Sequence, residues 1–318
     1  MELYFAPLEG ITGYLYRNVY HEFYTGVDKF FTPFLSPAQN RTFSPKETRE
    51  ILPENNKGMN VVPQILTDRA DYFIRAALEL KERYGYTEVN LNLGCPSGTV
   101  VAKGKGAGFL ARKEELDRFF AEIFDELDMK VSVKTRIGME APEEFYDLID
   151  IFNRYPVYEL VIHPRVRSDY YKNSPNWKIF ADAVLLSRNP LCYNGDIFTG
   201  HHYELFHREF PGTERVMLGR GLLADPATAE YIKEGKAPDG EREKDRLKAF
   251  HDRLYAAYRE EMSGETNVLF KMKEVWSYMI HSFTGGERYM KKIKKAVRLC
   301  DYEEAVRRLF AEQELTVK

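Results

Sequence analysis

Residues 88–138 read EVNLNLGCPSGTVVAKGKGAGFLARKEELDRFFAEIFDELDMKVSVKTRIG. The stretch opens on a short apolar run, Glu88–Gly94, and closes on another, Val131–Arg136, with an amphipathic helical segment, Lys113–Leu127, between them. Strand, helix and strand in that order imply parallel pairing through a right-handed crossover. The same alternation continues on both sides. Leu3–Pro7, Lys29–Phe34, Asn60–Leu66, Glu159–Arg165, Pro190–Gly195 and Arg215–Gly221 bring the strand-like runs to eight, and Arg69–Tyr84, Glu143–Tyr155 and Asp225–Glu234 read as helices. Asp68 and Asp225 suit helix N-caps, and Pro142 and Pro226 suit first turns. Eight strands alternating with helices predict an α/β fold, a closed (β/α)₈ TIM barrel. An open doubly wound sheet is the rival arrangement. The pattern breaks at the turn-rich KAPDGE segment, Lys236–Glu241, beyond which the chain is helical and charged. A barrel domain over residues 1–236 and a small all-helical C-terminal domain over 242–318 follow.

The 318 residues suit a barrel plus a smaller unit, and 44 % hydrophobic with 30 % charged residues permits a packed core. The opening MELYFAPLEG has no basic segment leading into an apolar run, and no stretch approaches the roughly 18–20 apolar residues that span a bilayer. The expectation is a soluble, cytoplasmic monomer. Three scattered cysteines, Cys95, Cys192 and Cys300, argue against a disulfide framework and against a metal site of the zinc type. The net charge of −3 gives no global attraction to nucleic acid, so any such contact needs a local patch.

A barrel of this kind works at the C-terminal ends of its strands, and polar residues gather there. The first strand ends at Pro7-Leu8-Glu9, the third near Gln64, and the fourth at Asn90-Leu91-Asn92-Leu93-Gly94-Cys95-Pro96. The fifth carries Lys134 and Arg136, the sixth His163 and Arg165, the seventh Asn194-Gly195-Asp196 and the eighth Gly219-Arg220-Gly221. Packing alone does not account for seven such ends. Small residues after the last two strands allow a backbone to approach a phosphate, with Arg220 as a charged fork; the same glycines also serve as plain tight turns. Lys134, mid-strand, faces either the bore or the helix layer. In the bore it needs a partner: an anionic ring such as a reduced flavin, a strand-end carboxylate, or a Schiff-base carbonyl. Cys95 sits on a loop beside two amides. A small buried hydrophobe is one reading; a thiol that donates a proton, or a thiolate that attacks, are the others. The basic Lys103–Gly108 stretch reads as a flexible lid, and it lacks the GK[ST] ending of a Walker loop.

Taken together, APLEGIT, VNLNLGCPSGTVVAKGKGAGFL, VSVKTRIG, VIHPR, YNGDI, MLGRG and KMKEVWSYM resemble the dihydrouridine synthase family in order and spacing. The resemblance implies an FMN-binding barrel with a helical RNA-binding domain, NADPH as reductant, and uridine in tRNA as substrate. It implies hydride delivery to uracil C6 and protonation of C5 by a cysteine, here Cys95. By motif, FMN is expected at Pro7, Leu8, Glu9, Gln64, Lys134, His163, Asn194, Gly195, Asp196, Gly219 and Arg220. Asn92 is expected on the uracil, Arg136 on the nucleotide, and Lys271 and Lys273 on the RNA. Two departures stand out. Pro164 replaces the family's usual glycine after the strand-six histidine, which removes an N–H, and Leu8 stands where methionine is common.

The helical segment supplies the local charge. From Gly264 to Arg298 there are eight basic and three acidic residues, a net +5 within a chain of net −3. Trp276 and Tyr278 are expected in the core. Alternatives to tRNA reduction are a small-molecule FMN oxidoreductase on the same barrel, action on ribosomal RNA, flavin-dependent methyl transfer, and a non-catalytic RNA-binding module.

Overall fold

Pro63 interrupts one strand of an otherwise regular parallel sheet. The computed structural model describes residues 1–235 and 240–316, and the strands are β1 (Glu2–Phe5), β2 (Lys29–Phe31), β3 (Val61–Val62), β4 (Gln64–Ile65), β5 (Glu88–Leu93), β6 (Lys130–Arg136), β7 (Glu159–His163), β8 (Leu191–Tyr193) and β9 (Arg215–Leu218). Their hydrogen-bonded order is β3-β2-β1-β9-β8-β7-β6-β5-β4. The two ends of that order are consecutive in the chain, parted only by a proline that has no N–H to give a ladder. Pro63 still accepts a bond from the Asn90 N–H at 2.9 Å. β3 and β4 are therefore two halves of one strand, and the sheet curls into a nearly closed eight-stranded parallel barrel. All eight strand-like runs are strands, and the TIM-barrel expectation holds over the open sheet.

Helices follow the strands for reasons visible in their spacing. The helix Ala70–Tyr84 buries Phe73, Ala76, Ala77 and Leu80 on one stripe and stops at Gly85, whose left-handed backbone caps it. Lys113–Glu126 buries Leu116, Phe119, Phe120 and Ile123, and Phe119 meets Phe73 edge-on at 5.7 Å. Two cap expectations need correction. Asp68 does not cap Ala70–Tyr84 but pairs with Arg112 at 2.9 Å. Asp225 accepts from the Ala227 N–H at 3.2 Å, one step before the helix Thr228–Glu234 begins.

The bore is polar and the outer face apolar. On β5, Val89, Leu91 and Leu93 are fully buried on the side away from the bore, while Glu88, Asn90 and Asn92 share the other face. At the N-terminal end of the bore, Lys29 Nζ lies 3.0 Å from Glu88 Oε2, and Ser132 Oγ donates to Glu88 Oε1 at 2.8 Å. Arg215 Nε lies 3.2 Å from Glu159 and 3.3 Å from Glu2, and the Tyr4 hydroxyl is 2.9 Å from Glu159. These groups border a cavity of about 460 Å³. Burial outweighs the nearby Lys29 and Arg215 charges and pushes the Glu159 carboxyl up to about 7.

The chain divides into two compact units. One comprises Met1–Pro7, Asp28–Asp196 and Glu209–Met217; the other comprises Leu8–Val27, Ile197–Arg208 and the described residues from Leu218 on. The expected division into 1–236 and 242–318 follows chain order, whereas compactness does not. Aromatic packing is the reason: Tyr16, Phe23 and Tyr24 set their rings edge-on to buried Phe250 at 5.7, 6.1 and 5.5 Å, which draws the segment after β1 to the C-terminal helices. Those helices are Gly240–Glu261, Glu265–Met279, Glu287–Lys295 and Leu299–Glu312. Trp276, fully buried as expected, donates to the Tyr302 hydroxyl at 2.8 Å, and that hydroxyl lies 2.6 Å from His251 Nε2. Residues 236–239 of the expected linker lie outside the described residues.

Because the folded-state value of Glu159 lies above its ordinary 4.5, its contribution to stability is full below that pH and is lost as pH rises through about 7. Glutamine cannot ionise. Glu159→Gln should therefore gain roughly 1–3 kcal/mol relative to the parent between about pH 5 and pH 8, read from denaturant midpoints. A difference that stays constant across this range contradicts a carboxyl strained by burial.

Candidate active site

Three amides from two neighbouring strands form the floor of the C-terminal mouth. Gln64 Nε2 donates to Asn90 Oδ1 at 2.8 Å, and Gln64 Oε1 accepts from Asn92 Nδ2 at 2.7 Å. Asn90 Nδ2 continues to Ser132 Oγ at 3.0 Å. The parallel register places Gln64 opposite Asn90, which aligns the side chains for this pairing. Gln64, Asn90 and Asn92 are 1 %, 0 % and 8 % exposed, so each amide needs the partner it has. Both ends of the Gln64 amide are taken within the protein.

Asn92 also builds the Cys95 loop. Its Oδ1 accepts from the Gly94 N–H at 3.0 Å and the Cys95 N–H at 2.9 Å, an Asx turn that swings the thiol off the strand end. The Cys95 carbonyl in turn accepts from the Ala107 N–H at 3.1 Å. Gly106 adopts φ +56, and a Cβ there would lie 2.9 Å from Cys95 Cβ. Only glycine allows the 104–108 stretch to pack this closely under the cysteine. The flexible-lid reading of Lys103–Gly108 thus needs correction: Arg112 Nη2 donates to the Gly104 carbonyl at 2.6 Å, and Gly106, Ala107 and Gly108 are buried in a 3-10 turn. Cys95 itself is half-buried.

Lys134 faces the bore. It shares the inner face with Ser132 and stands opposite Asn92 in register. Among the described residues no carboxylate pairs with it and no hydrogen-bond acceptor reaches it, so the structural ion-pair reading fails. Its side chain keeps partial access to solvent, yet protein surrounds it; burial first, then the Arg136 charge, lower its amine to about 8, and Cys95 is among the groups that oppose this. Arg136 is 1 % exposed, and its guanidinium clamps three carbonyls on two loops. Nε donates to the Gly94 carbonyl, Nη1 to that of Val166 and Nη2 to that of Tyr170, each at 2.9 Å. Its donors reach backbone carbonyls where the resemblance implied a nucleotide.

His163 ends β7 and is 7 % exposed. Arg165 Nη1 lies 3.1 Å from His163 Nε2. Arginine can only donate, so Nε2 is the acceptor and the ring proton resides on Nδ1. Pro164 occupies the centre of a tight turn closed by the Arg165 N–H to the His163 carbonyl at 2.7 Å. Arg165 grips Asp196 with two bonds of 2.9 and 2.5 Å. Asn194 Nδ2 donates to the Met217 carbonyl at 2.8 Å. A Cβ on Gly195 would lie 1.9 Å from the Tyr193 hydroxyl, so only glycine fits at this strand end. Pro7, half-buried, directly follows β1.

The remaining expected residues belong to the second compact unit. Leu8 donates its N–H to Thr12 Oγ1 at 2.8 Å, and its carbonyl accepts from Ile11 and Thr12. Glu9 is exposed. Gly219 precedes the short helix Arg220–Ala224, and the Arg220 guanidinium lies over the Phe198 ring at 5.3 Å. Lys271 Nζ donates to the Gly10 carbonyl and lies 3.6 Å from Glu274. Lys273 Nζ donates to the Ala296 carbonyl at 2.5 Å.

The model of the family described as Dihydrouridine synthase (Dus) matches residues 4–313, nearly the whole chain. The chain belongs to the dihydrouridine synthase family. It is accordingly an enzyme of the oxidoreductase class. The tRNA-dihydrouridine(16) synthase of Aquipseudomonas alcaligenes is 27 % identical over 246 residues, spanning 73 % of this chain and 75 % of that one. The protein of the same description from Cupriavidus necator is 30 % identical over 240 residues, 73 % of each chain. Among solved structures, the old yellow enzyme from Trypanosoma cruzi superposes with a TM-score of 0.54 over 82 % of this chain and 94 % of that one. At 11 % identity this likeness is one of fold. Sequence reasoning missed Arg136 as a loop clamp, the Arg165–Asp196 pair, and the role of Asn92 in shaping the cysteine loop of this family member; the Asn-x-x-Cys spacing was the one available signal for the last.

Replacing Asn92 with alanine leaves two loop N–H groups and the buried Gln64 Oε1 without their partner. We expect a loss of about 1–3 kcal/mol in stability and faster alkylation of Cys95 as its loop loosens. Unchanged alkylation with unchanged stability contradicts the Asn92 turn as the element holding the thiol.

Proposed function

We propose that the protein reduces uridine in tRNA to 5,6-dihydrouridine, with FMN as bound cofactor and NADPH as reductant. The observation that carries this reading is the pairing of an unpartnered Lys134 ammonium in the bore with the Asn92-built loop that presents Cys95 at the same mouth. A largely enclosed cation without a carboxylate partner suits the anionic edge of a reduced flavin. The residues fit the group in that respect, and the resemblance supplies the rest of the set: Pro7, Leu8, Glu9, Gln64, His163, Asn194, Gly195, Asp196, Gly219 and Arg220. Of these, Gln64 and Asp196 act mainly by shaping the mouth, since their side-chain polar atoms are already engaged within the protein.

Bound FMN supplies a hydride donor that NADPH restores. The chain's own residues do the remainder. Asn92 orients the uracil edge and fixes the loop. Cys95 Sγ holds the proton that C5 receives as C6 gains hydride; the S–H bond breaks, the C5–H bond forms, and the thiolate is reprotonated from solvent. General acid catalysis at that carbon avoids a free enolate. Arg136 acts on the nucleotide through the loops it clamps. Because a stacked uracil cannot reach a barrel mouth, the RNA must present the base unstacked. The helical segment 242–318 is the proposed RNA-binding domain, with Lys271, Lys273 and the lysines of Glu287–Lys295 as its charge.

Two outcomes test the reading. Purified protein should be yellow, and Cys95→Ala should keep the colour while losing dihydrouridine product; a protein that cannot take up FMN ends the proposal. FMN affinity of the flavin-free protein should fall as pH rises through about 8, because Lys134 loses its charge there. Lys134→Met should bind FMN more weakly and abolish that inflection, measured by quenching of flavin fluorescence.

A further inference from the structure

Phe270 departs from every other large aromatic of the C-terminal helices. Trp276, Phe283, Tyr289, Tyr302 and Phe310 are 6 % exposed or less, whereas Phe270 is 73 % exposed. It lies on the helix Glu265–Met279, whose buried residues are Val268, Leu269, Met272, Val275, Trp276 and Met279. At helical spacing Phe270 falls on the opposite stripe, three residues before Lys273 and four before Glu274. A lone exposed apolar residue needs no explanation. This one has company. The bond from Lys273 Nζ to the Ala296 carbonyl ties its helix face to the turn that carries Val297, which is 80 % exposed. That turn ends the helix Glu287–Lys295, which exposes Lys291, Lys292, Lys294 and Lys295. Among the described residues none of these four lysines pairs with a carboxylate.

An exposed aromatic and a run of cations without carboxylate partners together define the occupant. A polyanion whose units also carry flat apolar faces satisfies both; that is a nucleic acid with unstacked bases. A second copy of the chain fits poorly, because a two-fold contact through this patch sets lysine cluster against lysine cluster.

We propose that Phe270, exposed on the helix that Lys273 ties to the Ala296–Val297 turn, stacks on an unpaired base of the RNA substrate, distinct from the uridine that is reduced, while Lys291, Lys292, Lys294 and Lys295 hold the flanking phosphates. The inference rests on the RNA-directed function above and narrows it. The enzyme selects RNA that presents a second single-stranded nucleotide to the helical segment, and duplex regions alone do not satisfy it.

The test is equilibrium binding of unmodified tRNA transcript to the full-length, FMN-loaded protein across a salt series, by filter retention. Phe270→Ala should weaken binding about 5- to 150-fold with the slope of log affinity against log salt unchanged, because no ion pair is lost. Phe270→Trp should bind as tightly as the parent or tighter. Lys294→Ala with Lys295→Ala should instead flatten the slope by about 1–2. If the parent binds tRNA and Phe270→Ala matches it within twofold, or if Phe270→Ala weakens binding only by changing the slope, the stacking contact is wrong and the RNA-directed reading stands. If Phe270→Ala instead converts a dimer to a monomer in sedimentation, the patch is a self-contact and the proposal falls. If the parent binds no tRNA at any salt, the RNA-directed reading itself falls, and this inference with it.

Discussion

A barrel that turns its apolar side chains outward and its amides inward must pair every polar group it buries. Here that demand converges on Gln64. Its amide bridges Asn90 and Asn92, and Asn92 holds the backbone of the Cys95 loop. Buried unpaired amides cost about 1–3 kcal/mol each, enough to enforce one arrangement of the ladder. The position of the thiol is thus a consequence of register between two neighbouring strands. Gly106 reinforces it from below, since any larger residue there would collide with the cysteine.

The two ends of the bore treat charge differently. At the N-terminal end Lys29 faces Glu88, and Arg215 faces Glu159 and Glu2, so the cations there are matched. At the C-terminal end no carboxylate among the described residues pairs with Lys134, while Arg165 is paired with Asp196. Matched charges at the N-terminal end and an unmatched cation at the C-terminal end fit the general division of such barrels, with stability below and chemistry above. Arg136 extends the logic to the loops. By clamping carbonyls after β5 and β7 it holds the rim of the mouth.

Much of the barrel was legible because its signals are local. Each of the eight apolar runs became a strand, and the strand-end polar residues Gln64, Asn92, Lys134 and His163 all line one mouth. Pro63 was visible too, yet its effect, one strand counted as two, emerges only from the ladder. What could not be read depended on contacts between distant residues. The segment after β1 joins the C-terminal helices because Tyr16, Phe23 and Tyr24 surround Phe250, more than 200 residues away in the chain. Arg136 and Arg165 differ little as strand-end arginines; one meets carbonyls and the other a carboxylate, a choice made by loop conformation. The charged pair of Glu88 and Glu159 was overlooked, although strand parity two residues before Asn90 and Val161 points both inward.

Uridine reduction adds two hydrogens to a base without changing its connectivity, so it leaves a mass increase of about 2 Da on one nucleotide. The decisive measurement is mass mapping of tRNA from cells with and without this protein. The account predicts that at least one uridine position in a single-stranded region loses that increment when the protein is absent and regains it when the intact chain is restored. An unchanged dihydrouridine map in tRNA would contradict it.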